Sequence, residues 1–135
     1  MIFKKKFDHL FLIILAAIII AADRLTKLLA KNAEMNTGAA FGILPGFNWL
    51  FIIIAFAILA LFLFFYKKSS KLVQLALILI LAGTISNTLD RILFGHVIDF
   101  IRIPFIQNSS AFNLADISNI TGALILLVSL IKKKD

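Results

Sequence analysis

GTISNTLDRILFGHVIDFIRIPFIQNSSAFNLAD, residues 83–116, lies between two apolar runs. It holds three of the seven acidic residues, Asp90, Asp99 and Asp116, together with Asn87, Arg91 and Asn113. The flanking chain is hydrocarbon-compatible, and carboxylates at membrane depth are costly enough to need a reason. The stretch is expected to hold a catalytic pair of aspartates at a membrane surface.

Working outward, composition sets the class. Of 135 residues, 61% are hydrophobic and only 16% charged. A soluble domain of that size cannot hide so much apolar surface. The expected architecture is one integral membrane domain over residues 1–135, mainly α. With no cysteine there is no disulfide, thiol nucleophile or thiolate metal site. The charge of +7 could suggest nucleic acid, but the lysines cluster beside apolar runs, as in proteins that set a membrane orientation.

Four spans are expected, at about residues 10–29, 47–66, 72–89 and 116–131. The first has twenty residues, about 30 Å as a helix, enough to cross a hydrocarbon core. A cleavable signal peptide would also show a basic start and an apolar run. Here no small-residue cleavage site closes the run, and three more apolar segments follow. Trp49 and Tyr66 are placed like interface anchors.

Four spans put both termini on one side. Nine basic residues fall there: Lys4, Lys5, Lys6, Lys67, Lys68, Lys71, Lys132, Lys133 and Lys134. Five fall on or near the other: Arg24, Lys27, Lys31, Arg91 and Arg102. The lysine-rich side is therefore expected to be cytoplasmic. Asp23, Glu34, Asp90, Asp99 and Asp116 all sit at or beyond the outer ends of spans, so the chemistry is expected at the extracytoplasmic face.

Each motif has a plain structural reading beside the functional one. Asp23 and Lys27, at i and i+4, share a helix face and could be only an intrahelical ion pair. In NTGAAFG, residues 36–42, Gly38 would permit a tight turn or close backbone approach to a ligand. Asn87 and Asp90 share a face at the end of the third span, where Arg91 could pair with Asp90 or snorkel. Gly95 ends that helix. HVIDFIRI, residues 96–103, alternates as a short strand with Asp99 between apolar neighbours. Asn113 and Asp116 could simply cap the fourth helix. His9 and His96 fall on opposite sides, without metal-ligand spacing, so no metal or cofactor is expected. Ser109 and Ser110 lack a nucleophile elbow, and no phosphate-binding glycine loop is present.

Four of these clusters, in order, resemble the motifs of lipoprotein signal peptidase (signal peptidase II), a bacterial family of four-span aspartyl proteases. Asp23 with Lys27 is similar to its first motif, NTGAAFG to its second, residues 82–100 to its third, and FNLAD, residues 112–116, to its fourth. The resemblance implies a catalytic dyad of Asp99 and Asp116. It implies site-lining roles for Asp23, Lys27, Asn36, Asn87, Arg91, Asn113 and Ala115. It also implies a small extracytoplasmic β-element that cradles the substrate. The connection from Lys27 to Asn36 is shorter than usual in that family. Ala82 and Ser86 stand where its third motif carries glycines, and Thr84 where alanine is common.

The implied substrate is a prolipoprotein bearing a diacylglyceryl cysteine, cut just before that cysteine. Membrane lipid is the other partner, with no nucleic acid, and nothing requires more than a monomer. Physical reasoning favours Asp99 over Asp90 as the partner of Asp116. Arg91 beside Asp90 favours its charged form, and Asp90 is expected to hold Arg91 and the helix end. Asp99, among Val97, Ile98 and Phe100, is set to keep a proton. A small proton-relay transporter and an inactive lipoprotein-binding homologue are the competing readings.

Overall fold

The computed structural model describes residues 2–39, 43–103 and 110–132. Residues 40–42 of the NTGAAFG stretch, Ser109 and residues 133–135 of the basic C-terminus lie outside the described residues. Among the described residues, four helices and one small sheet make up the fold. They are α1 (Ile2–Leu29), β1 (Glu34–Asn36), α2 (Asn48–Phe65), α3 (Lys71–Phe94), β2 (Val97–Asp99) and α4 (Leu114–Lys132). A 3-10 turn, Tyr66–Lys68, extends α2.

Among the described residues, three helices are long and apolar enough to cross a membrane: α2 with its extension, α3 and α4. In α1, Asp23, Arg24 and Lys27 crowd the last two turns. Large hydrophobics face outward all round, among them Ile18, Phe56, Leu63 and Leu130. A surface of that kind suits lipid.

The central helix is α3, which packs on all three others. Lipid tails are as apolar as leucine, so close backbone approach must drive helix contact in a membrane. Small residues provide it. Ala76 and Ala82 on α3 and Ala115 on α4 are fully buried. A Cβ on Gly83 would run into the Ala115 carbonyl and the Asn119 side chain. A Cβ on Gly122 would stand 2.7 Å from the Ala76 carbonyl oxygen. The Ser118 hydroxyl donates to the Leu79 carbonyl across the same contact, at 2.8 Å. The most apolar helix, α2, has no buried residue and lies at the edge of the bundle.

The third helix runs to Phe94, five residues beyond the expected end at Leu89. It stops where Gly95 takes φ 77°, a left-handed cap that favours glycine. Beyond it, β2 pairs antiparallel with β1 in the register Glu34↔Asp99, Met35↔Ile98, Asn36↔Val97. A bridge between Ile101 and Phe112 then returns the chain beside β2, with backbone hydrogen bonds of 2.8 and 2.9 Å. Asp99 and Asn113 are thereby held at neighbouring ends of one small sheet.

At the other end of the bundle, His9 Nδ1 lies 2.9 Å from the Tyr66 hydroxyl. Lys68 and Lys132 line one cavity there. The lysine-bearing ends of the described helices thus gather opposite Asp23, Asp90, Asp99 and Asp116.

Candidate active site

The site rests on a buried ionic cluster. Lys27 Nζ, almost fully buried, meets Asp23 Oδ2 and Asp90 Oδ2, each at 2.7 Å, and donates to Asn87 Oδ1 at 2.9 Å. Arg24 pairs with the other oxygen of Asp90. Two cations and two anions balance, the condition under which charges can be buried. Asp23 and Asp90 are 0% exposed.

From this cluster the carboxylates fasten neighbouring elements. Asp23 Oδ1 accepts the Ala115 N–H at 2.9 Å, tying α1 to the first turn of α4, whose N–H groups lack helical partners. Asp23 Oδ2 also accepts from the Ser86 hydroxyl at 2.6 Å. Asp90 Oδ2 accepts the Ile98 N–H at 3.3 Å, tying α3 to β2.

Above it, two asparagines join two aspartates. Asn113 Nδ2 donates to Asp99 Oδ1 at 2.7 Å and to Asn87 Oδ1 at 3.0 Å. Asn113 Oδ1 accepts the Asp116 N–H at 2.9 Å, while Asp116 Oδ2 accepts the Asn113 N–H at 3.2 Å. This is a reciprocal capping box at the start of α4. Asn87 Nδ2 donates to Asp116 Oδ1 at 2.8 Å. Asn36 Nδ2, at the end of β1, donates to Asp99 Oδ2 at 2.9 Å.

The capping role expected of Asn113 and Asp116 is therefore real, and it fixes the Asp116 carboxylate beside Asn87 and Asn113. Asp99 is 2% exposed, on the same strand face as Val97. Burial pushes the Asp99 carboxyl above the usual range, the Asn36 amide pulls it down, and the charge of Asp116 pushes it up again. Asn113 and the Lys27 charge also pull it down, and the net direction is upward.

Asp116 and Asn87 open onto a cleft of about 210 Å³ between α2, α3 and α4, whose opposite wall carries Phe51, Ile54 and Ile58. Arg91 lines it too. Its guanidinium stacks over Phe51, 5.0 Å from the ring centroid, and donates to the Gly38 carbonyl at 2.6 Å. Gly38 N–H in turn donates to Asn36 Oδ1 at 2.8 Å.

Two expectations from the sequence are corrected. Asp90 does not hold Arg91: its carboxylate is taken by Arg24, Lys27 and the Ile98 N–H. Ala115 does not line the cleft. It is fully buried, with its N–H on Asp23 and its carbonyl against Gly83. Around Gly38 the backbone turns back on Asn36, whose Oδ1 accepts the Gly38 N–H, and the Gly38 carbonyl accepts from Arg91. Sequence reasoning missed three contributors: Arg24, Ser86 and Asn119. Polar residues at i−1 of Asn87 and i+3 of Asp116 were the available signal, because both fall in otherwise apolar spans.

Known proteins resemble this chain in sequence and in fold. The sequence profile of the Signal peptidase (SPase) II family matches residues 15–132. A lipoprotein signal peptidase of Bacillus subtilis (strain 168) is 36% identical over 148 aligned residues, covering 90% of this chain and 96% of the relative. One from Halothermothrix orenii is 42% identical over 97 residues, 70% of this chain and 65% of the relative. A solved structure described as a bacterial membrane enzyme superposes with a TM-score of 0.85 at 29% identity, over 93% of this chain and 90% of its own. The profile spans every polar cluster described above, and the fold agrees over almost the whole length: the chain belongs to the signal peptidase II family.

Proposed function

We propose that this protein is a membrane-embedded aspartyl endopeptidase. It removes signal peptides from prolipoproteins whose cysteine already bears diacylglyceryl, cutting just before that cysteine. One observation carries the reading: Asn113 joins Asp99 to Asp116 where Asp116 meets a largely apolar cleft. Two carboxylates in such surroundings cannot both ionise easily, so they share a proton. The ionised member takes a proton from water as the water oxygen attacks the scissile carbonyl carbon. The protonated member donates to the carbonyl oxygen. The resulting diol collapses, the C–N bond breaks, and the departing amine takes up a proton. Only carboxylates and water take part.

The surroundings suit a lipidated substrate. An apolar groove of about 120 Å³ between α2 and α3 shares Ala55, Thr84 and Thr88 with the cleft, and is suited to an acyl chain. In this reading α1 spans as well, making four spans, all of 1–135 is one monomeric domain, both termini are cytoplasmic and the dyad faces outward. The short β1–β2 pair is the substrate cradle. A proton-relay transporter would spread ionisable groups through the depth of the bundle, whereas α2 carries none at all.

The test is incubation of the purified protein with a lipidated prolipoprotein. Release of a signal peptide ending just before the cysteine is expected. Binding without cleavage would mark an inactive homologue, and equal turnover of an unlipidated form would count against the proposed substrate.

A further inference from the structure

Asn119 lies one helical turn from Asp116 on the same face of α4, about 4.5 Å further into the bundle. Its side chain sits against Gly83 and lines the cleft with Asp116, Asn87 and Phe51. Its Oδ1 is buried and has no hydrogen-bond partner among the described residues. Its neighbours on α4 do better: Ser118 and Thr121 each reach a carbonyl, at 2.8 and 2.7 Å. Oδ1 is turned toward Gly83, where it is an acceptor without a donor, a costly state. Rotation about the soft χ2 bond of the amide turns it into the cleft, where something entering can supply one.

The chemistry of that visitor follows from its shape. To reach a carboxylate pair, the peptide near the scissile bond must be extended, which frees its backbone N–H and C=O groups in a place of low dielectric. A side-chain amide matches a peptide group, acceptor to donor and donor to acceptor. The ester groups of a diacylglyceryl chain offer acceptors only and cannot satisfy Oδ1. Asn119 is also on the membrane-inward side of Asp116, the side from which a signal peptide rises to the cut.

We propose that Asn119 binds the backbone of the signal peptide just N-terminal to the scissile bond, its Oδ1 accepting one peptide N–H. This rests on the peptidase reading above.

The experiment uses lipidated prolipoprotein peptides in which one backbone amide before the cut, never the scissile one, is replaced by an ester. Each replacement removes a single N–H. Wild-type enzyme is expected to lose about tenfold in kcat/KM at one position, mainly through KM. Asn119→Ala is expected to show that loss with the all-amide peptide and no further loss with that ester. A merely structural Asn119 would give losses that add. A wild type indifferent to the ester at every position overturns the proposal without any variant. So does an Asn119→Ala enzyme that matches wild type on the all-amide peptide. If wild type leaves the lipidated all-amide peptide intact, the peptidase reading itself falls and takes this inference with it.

Discussion

At the scale of single residues, Lys27 shows how charge can be placed where lipid surrounds the fold. All its partners are polar groups on α1 and α3, and two of them are carboxylates. Removing one member of a buried pair leaves its partners uncompensated, at about 3–5 kcal/mol. We expect Lys27→Met to lose stability of that order in thermal unfolding; a loss below about 1 kcal/mol, the range of an exposed pair, would show that the cluster does not fasten the fold. Asp99 makes a prediction of opposite character. Burial raises its carboxyl, so the folded chain holds a proton that the unfolded chain releases. That contribution to stability is full below the ordinary carboxylate pKa and is lost as pH rises through the raised one. We expect stability to fall across that window and Asp99→Asn to show a shallower fall; equal slopes would contradict this. The two aspartates were legible in the sequence because one stands among apolar strand residues and the other opens a helix. The partner of Asp90 was not. Arg91 is adjacent in sequence, but successive helical residues point about 100° apart, so Asp90 turns to α1 and Arg91 turns to Gly38 and Phe51.

Among the elements, the contact between α3 and α4 decides where Asp116, one member of the proposed dyad, sits. Asn87 on α3 and Asp116 on α4 meet only because Gly83 lets the Ala115 carbonyl approach. We expect Gly83→Val to wedge the helices apart. Overpacking of this kind costs about 1–3 kcal/mol, and cleavage should fall further than that stability loss accounts for. Wild-type cleavage from a Gly83→Val protein would show that the contact does not set the site. The helices were readable from apolar runs, and the end of α3 from Gly95. Its last turns were not, because Asp90 and Arg91 look like surface residues until α1 and the loop after β1 supply their partners. Three residues of β1 are too few for a period-two pattern, and their pairing with β2 is far apart in sequence.

For the whole molecule, Lys68 and Lys132 lie at the end of the bundle opposite Asp90, Asp99 and Asp116, while Lys27 stays among the carboxylates. That division is already visible in the order of charges along the chain. We expect a reporter fused after Asp135 to register cytoplasm; an external signal would place the dyad on the wrong face. The dyad itself is tested most directly by cleavage of a lipidated prolipoprotein by wild type, Asp99→Asn, Asp116→Asn and Asp90→Asn, each shown to be folded and to bind substrate. Asparagine keeps the size of the side chain and removes the carboxylate. The account predicts that Asp99→Asn and Asp116→Asn bind without cutting, while Asp90→Asn loses stability and keeps activity in proportion to the folded protein that remains. A folded, inactive Asp90→Asn beside an Asp99→Asn that still cleaves would contradict it.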